Sequence, residues 1–354
     1  MDDTIKRLFD LASVPGVPGN ERLVAKHIDN QVKRPDVTRR KDNLGSLVYT
    51  YGASGPSVMI AGHMDEVGLM VKSITDGGFI RFQTLGGWYS QVMLAQVWGI
   101  HTDKGIIKGV TGSKPPHLIP ADKRKEAVKT DDMILDIGCT SKDEAHALGV
   151  RPGQMIVPAT RPEVLGDGRH LMSKAWDNRI GSAVVLDVLN TLEGETPNTF
   201  HATFTVQEEV GLRGAKTAAH MVRPDIAIAI DSGIADDVPG SDPADRRIGK
   251  GPQILLFDAG LVPNRALREL AIEVAKTHDI PYQEGVITGG RTDAGHMHLA
   301  HHGAAGLSIT IPTRYLHSHT SVIHLDDYLN TVKLVKALLV RLDRATVDRI
   351  LSHD

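Results

Sequence analysis

The 354-residue chain is predicted to fold as an α/β layer protein, a mixed and mostly parallel sheet sandwiched by helices, interrupted by a small β-barrel insertion. Length is the first reason, because single hydrophobic cores stop growing before this size and chains divide. The second is the region after residue 173, where short apolar runs alternate with helical stretches of ten or more residues, as strands covered on both faces do. The third is a change of texture between residues 69 and 157. There β-branched runs follow one another at short spacing, divided by Gly, Pro and Asp turns, which suggests a barrel or sandwich. The division that follows is 1–68 and 163–354 for the α/β domain and 69–162 for the insertion.

Residues 3–12 and 20–33 read as amphipathic helices, the second opened by Asn20 as N-cap and carrying Leu23, Val24, His27 and Ile28 on one stripe. The turn-rich SVPGVPG (13–19) separates them. Strands are expected over 44–51 and 58–61, the second running into GHMDEVG (62–68). In the insertion LMVKSI, FIRFQ, QVWGI, GIIKGV, MILDIG and QMIVPA are the expected strands, and KDEAHALG, started by Ser141 and stopped by Gly149, is the helix. Helix 180–192, strands 202–206, 225–230 and 254–257, helix 266–278, strand 306–311 and a long C-terminal helix over 326–350 complete the pattern. Residues 235–247, rich in Asp, Pro and Gly, read as one surface loop.

A hydrophobic fraction of 41% is ample for a packed globule, and a formal charge of -3 with acids and bases interspersed leaves no basic stripe for nucleic acid or an anionic membrane. The N-terminus lacks the apolar core of a signal peptide and no 18-residue apolar span follows, so a cytoplasmic location is expected. Cys139 is the single cysteine, which rules out an internal disulfide and a thiolate cage and reads as a packing residue. Any metal must be held by His, Asp and Glu.

The run FTVQEEVG (204–211) is expected to be a strand delivering Glu208 and Glu209 at its end. An acidic doublet is ordinarily solvated surface. On an extended strand, however, neighbours project to opposite sides, so one acid can face a metal and the other a water. Four further segments place metal-capable side chains where a strand gives way to a loop, the position at which open α/β sheets gather ligands. They are His63 with Asp65, Asp177 in SKAWDNR, Asp231 in IAIDSG, and His317 with His319 in RYLHSHT. Each has an ordinary structural reading too: Asp177 as N-cap of the following helix, Asp231 as a turn cap, His63 as a satisfied turn histidine. Jointly they fit two divalent cations, zinc, cobalt or manganese, since calcium prefers an all-oxygen shell. In such a pair one carboxylate bridges ions roughly 3.5–4 Å apart and the pKa of water falls from about 15.7 toward about 7. The spare carboxylate of the doublet serves as general base, and Asp65 is placed to accept the other ring N–H of His63 and fix its tautomer.

In order, GHMDEVG, SKAWDNR, QEEVGLRGA, DSG, GGRTDAG and RYLHSH resemble the tetrahedral aminopeptidases, the family of glutamyl aminopeptidase, cellulase M and FrvX, over essentially the whole chain. The resemblance implies that His63 and Asp231 bind one metal, Glu209 and His317 the other, that Asp177 bridges them, and that Glu208 is the catalytic base; Asp65, through His63, is counted with it as catalytic. It also implies a barrel that dimerises and dimers that assemble into twelve-subunit tetrahedral shells acting on peptides. Arg291, within GGRTDAG, is either an inserted residue or a changed loop, and His319 matches the His-Ser-His of the glutamyl branch. Removal of N-terminal Glu or Asp would need cations or donors in the first side-chain pocket, for which Arg291, Arg314, His319 and Lys174 are the candidates. Leucyl or broad specificity, or an amide deacylase on the same scaffold, are the alternatives. A glycoside hydrolase using the Glu208–Glu209 pair is disfavoured, because it leaves His63, Asp231 and His317 idle. His296, His298, His301 and His302 read as surface or helix histidines.

Overall fold

The computed structural model describes residues 2–241 and 245–352 and divides their strands between one eleven-stranded sheet and one closed six-stranded barrel. Part of the loop expected over 235–247, residues 242–244, lies outside the described residues.

The sheet is centred on four parallel strands, in spatial order Thr199–Thr205, Ser57–His63, Ile226–Ile234 and Ala305–Arg314. Alternation along them separates two apolar sets, as burial on both faces demands. Val58, Ile60, Ile226 and Ile228 enter the main core, with helices Asp3–Ser13, Trp176–Thr191, Arg265–Thr277 and Leu325–Leu339. Met59, Ala61, Ala227 and Ala229 face the other way, where helix Arg213–Val222 lays Ala215, Ala218 and Ala219 against them. That helix has no counterpart among the expected elements, because an alanine-rich face gives little apolar contrast.

Outside this centre the flanking strands run antiparallel: Leu47–Tyr51 and Thr38–Lys41 on one side, Ser321–His324, His170–Ser173 and Glu163–Leu165 on the other. A short link makes this direction obligatory between Thr38–Lys41 and Leu47–Tyr51. In that link one oxygen of Asp42 accepts the amides of Leu44, Gly45 and Ser46 at 2.7–3.0 Å. Strand Gln253–Asp258 pairs antiparallel with Ala305–Arg314 and carries Gln283–Ile287 parallel to itself, so the parallel character read from the helix–strand alternation belongs to the centre and this side branch of a mixed sheet.

The barrel runs Gly68–Ile74, Ile80–Leu85, Ile134–Asp136, Gly105–Gly112, Val97–Thr102 and Met155–Pro158 around its circumference. Every neighbouring pair in it is antiparallel. Leu69, Ile80, Trp98, Ile100, Leu135 and Ile156 give it a core of its own. Ser141 caps helix Lys142–Ala147 by accepting the Glu144 amide.

Two helix ends differ from expectation. Helix Arg22–Gln31 starts after Glu21 rather than at Asn20, and Glu21 is turned away from its own helix to accept the amides of Gly19 and Gln207. The single helix expected over 326–350 is two, Leu325–Leu339 and Arg344–Leu351. Asp343 begins the second by accepting the Thr346 amide, a competing N-cap inside an otherwise periodic stretch.

A buried arginine ties the first helix to the sheet. Arg179 donates to the carbonyls of Leu11 (3.0 Å), Val14 (2.6 Å) and Met64 (2.6 Å) and to the Glu66 carboxylate (3.2 Å). Glu66 also accepts from Lys174 at 2.7 and 2.9 Å. The strand end carrying residues 63–66 is thereby fixed against the helix carrying Asp177.

Candidate metal centre

Gly181 sets the geometry, because a Cβ there would lie 2.3 Å from both the Ile230 carbonyl oxygen and Asn178 Oδ1. The start of helix Trp176–Thr191 therefore sits directly on the strand Ile226–Ile234. Asp177 and Asn178 depart from helical dihedrals. Asn178 caps the regular part, accepting the Gly181 amide at 2.9 Å and donating to the Ile230 carbonyl at 2.9 Å. The capping role left open for Asp177 thus falls to its neighbour, and the Asp177 carboxylate is free to face the histidines.

Asp177 stands between two histidines. Its Oδ1 is 3.2 Å from His63 Nε2 and its Oδ2 is 3.3 Å from His317 Nε2. Around His63 Nε2 lie Asp231 Oδ1 at 3.6 Å and Glu208 Oε2 at 3.8 Å; near His317 Nε2 lies Glu209 Oε2 at 3.5 Å. Three three-residue groups able to hold a cation result, His63–Glu208–Glu209, His63–Asp177–Asp231 and Asp177–Glu209–His317, the last two sharing Asp177. His63 Nδ1–H donates to the Asp65 carbonyl at 3.1 Å and His317 Nδ1–H to the Gly87 carbonyl at 2.8 Å. These bonds fix both rings with Nε2 facing the carboxylates, where it donates a hydrogen bond to Asp177 while protonated and would become a cation ligand once deprotonated.

The strand bearing the doublet ends at Thr205, earlier than the expected run to 211, and Gln207 takes a left-handed φ of 56°. Glu208 and Glu209 therefore sit beyond the strand and both line the same cavity, so the opposite-face argument does not apply. What holds them is Asp65, whose two carboxylate oxygens accept the Glu208 and Glu209 amides at 3.1 Å each. The Asp65 carboxylate is 3.4 Å from His63 Nδ1, and the closer acceptor is its own backbone carbonyl. With Glu21 taking the Gln207 amide at 3.0 Å, three successive N–H groups are bound by buried acids.

The electrostatics reflect too many buried acids. Burial, then nearby carboxylates, raise the pKa of Glu208 and push that of Glu209 to about 8. Burial likewise raises Asp231 and brings Asp293, which accepts the Thr205 hydroxyl, to about 7. Asp177 goes the other way: burial opposes its charge, but hydrogen bonds from His317 and His63 hold its pKa low. Burial would lower the histidines, yet Glu208 and its neighbours raise His63, and Glu209 with Asp177 lifts His317 to about 10. Glu209 Oε1 is buried without a partner. Two imidazoles whose Nε2 atoms converge with surplus carboxylates, and an orphaned carboxylate oxygen, fit divalent cations of the zinc, cobalt or manganese type.

The cavity, about 700 Å3, is walled further by Leu212, Ile234, Ile287, Leu316 and Arg291. Of the pocket cations considered, Arg291 alone lines it, exposed at its rim. Arg314 is held by Asp237 through two bonds of 2.8 and 2.6 Å, and Lys174 is buried on Glu66. His319 is turned to the barrel, its ring edge-on to Trp98 at 4.8 Å. His296 borders the cavity, His298 bonds the Ala294 carbonyl and His301 the His220 carbonyl; among the described residues none of the four belongs to a metal-capable group. Gly87 was not foreseen as a partner of His317, since it comes from the insertion. Gly86 beside it, at a φ of +82°, has no room for a Cβ, which would stand 2.7 Å from Val67 Cγ1 and 3.1 Å from Glu209 Oε2.

Comparison with known proteins bears on this site. The family model described as M42 glutamyl aminopeptidase matches residues 45–334. The chain is 36% identical to the Escherichia coli protein named as aminopeptidase FrvX, covering 97% of both chains. It is 33% identical to glutamyl aminopeptidase of Lactococcus lactis, over 99% of both, and 34% identical to lysyl aminopeptidase of Pyrococcus furiosus, over 93% of this chain and 94% of that one. Among solved structures, a TET aminopeptidase from the marine sediment archaeon Thaumarchaeota archaeon SCGC AB-539-E09 superposes with a TM-score of 0.96 at 42% identity, covering 99% and 100%. The dodecamer PhTET1-12s gives 0.86 at 33%, covering 97% and 100%.

Proposed function

The chain belongs to the M42 glutamyl aminopeptidase family and is a metallo-aminopeptidase; from that premise we propose a two-metal enzyme that removes N-terminal residues, acidic ones foremost, from peptides. The observation carrying this reading is the shared position of Asp177 between two complete donor groups. His63 and Asp231 would hold one cation, Glu209 and His317 the other, with Asp177 common to both. When bound, such ions polarise the scissile carbonyl and make a nucleophile available from water near neutral pH. Glu208 takes the proton of the attacking water and returns it to the leaving amine. Asp65 keeps Glu208 in reach through the amide it binds.

Specificity rests on Arg291, the rim cation. Arg314 and His319 are withdrawn from that role by Asp237 and Trp98. The relatives carry both glutamyl and lysyl names. The walls contributed by Leu212, Ile234, Ile287 and Leu316 favour a second reading, a pocket for leucyl or broad apolar residues.

The division at 68/69 and 162/163, dimerisation through the barrel, assembly of dimers into a tetrahedral dodecamer and a cytoplasmic location belong to the same proposal. Among the described residues no helix is long and apolar enough to cross a membrane. Hydrolysis of Glu-, Asp-, Leu- and Lys-p-nitroanilide by chelator-stripped protein, with zinc, cobalt or manganese restored singly, is the test. Activity should vanish on stripping and return with metal, led by Glu or Asp. A lead by Leu or Lys removes Arg291 from the pocket assignment, and no turnover under any condition removes the enzyme reading.

A further inference from the structure

A second cleft, about 780 Å3, adjoins the catalytic cavity, and His296 lines both. Its walls come from the turn after strand Thr38–Lys41 and from Lys216, Thr217 and His220 of helix Arg213–Val222, with Leu299 and His301 completing it. An enzyme that removes one residue at a time has a single residue upstream of the scissile bond, so all remaining substrate is downstream. We propose that this cleft is a downstream subsite for a carboxylate of the substrate peptide, held by Lys41 and Lys216; it rests on the aminopeptidase reading.

Charge is the main support. Asp42 is the acid of the lining, but its charge is already taken up: Oδ1 accepts three backbone amides and Oδ2 the Thr217 hydroxyl at 2.6 Å. Lys41 and Lys216 are exposed, and neither forms an ion pair among the described residues. His220 and His301 stack at 4.4 Å with 20° between planes, and His301 Nε2–H donates to the His220 carbonyl, so they form a flat wall. Between cavity and cleft, burial lowers the His296 pKa and the positive charges of Lys216 and Arg291 lower it further. Arg291 in the catalytic cavity and Lys216 in the cleft thus place positive charge on either side of an uncharged His296, an arrangement complementary to an anion. Two sources share the carboxylate chemistry, the free C-terminus of a short peptide and an acidic side chain of a longer one.

The test compares peptides beginning with the preferred first residue and continuing Ala-Ala or Ala-Ala-Ala, each as free acid and as C-terminal amide, with an amide containing Glu at the third position. Wild-type KM should be about three- to tenfold lower for the better-fitting acid than for its amide, the scale of one or two solvated ion pairs. The ratio should shrink in roughly 0.5 M salt and fall to about one in the Lys41→Ala/Lys216→Ala double variant. Lys41→Arg/Lys216→Arg should retain it. Because acid and amide are read on one preparation, partial misfolding cancels from the ratio. If the Glu-containing amide recovers the low KM, side chains are ligands too. Equal KM for acids and amides, with no gain from Glu, overturns the subsite provided the wild type hydrolyses its p-nitroanilide, as does an undiminished ratio in the double alanine variant. Failure of wild-type, metal-loaded protein to cleave either peptides or p-nitroanilides overturns the aminopeptidase reading and the subsite together.

Discussion

Glu208 is the carboxylate that the proposed ligand set leaves over, buried yet beside His63. Glu208→Gln should lower kcat by about 10²–10⁴ while elemental analysis finds the metal content unchanged; full activity in this variant would sink the mechanism. His201, far from this chemistry in sequence role, carries a pH effect. Burial, then Arg40, lowers its pKa to about 4, and its Nδ1 meets Thr50 Oγ1 at 2.9 Å. A histidine depressed on folding contributes stability in full above its ordinary value near 6.5, and loses it as pH falls toward the folded value. His201→Asn should therefore reduce the stability lost between pH 7 and 4 by up to about 3 kcal/mol, followed by urea denaturation at each pH. At this scale His63, Asp177, Glu209, Asp231 and His317 were legible, because each sits in a short motif at a strand or helix end. Hydrogen-bond partners distant in sequence were not: Asp237 neutralises Arg314, Trp98 claims His319, and Gly87 orients His317.

Arg179 belongs to the scale of elements, since one guanidinium joins the end of helix Asp3–Ser13 to the segment following strand Ser57–His63. Arg179→Met removes donors from four carbonyls, those of Leu11, Val14, Gly16 and Met64, and a partner from buried Glu66. The expected loss is about 3–5 kcal/mol, seen as a lower thermal midpoint, and metal retention should weaken with it because His63 ends the affected strand. An unchanged midpoint would show that the remaining contacts suffice. Element types followed from periodicity; their ends did not. The doublet run stopped being a strand at Thr205 because Asp65 and Glu21 bind its amides, and Asp343 divided the last helix. A cap or an acid elsewhere in the chain can outbid local propensity, and propensity alone does not reveal it.

Over the whole molecule, the two-part architecture was the most legible feature, because a change from helix-bearing to turn-divided sequence marks two kinds of packing. The barrel hairpin Val97–Thr102/Gly105–Gly112 exposes Val97, Ile106 and Val110, with Val97 directly opposite Val110. Residues 106, 108 and 110 share a strand face, so Val97, Ile106 and Val110 project to one side with the exposed Lys108 among them. Ile106→Glu with Val110→Glu should convert the proposed dimer to monomers in sedimentation velocity, while the far-ultraviolet spectrum stays unchanged; retention of the wild-type mass would place the contact elsewhere.

The barrel also touches the chemistry, through one carbonyl, Gly87 to His317. On the proposed ligand set this makes cation affinity and placement of the insertion reciprocal quantities: whatever free energy subunit association spends in steadying the barrel is returned as tighter cation binding, and cation loading strengthens association by the same factor. Starved of metal, such an enzyme would loosen its assembly as well as lose its activity.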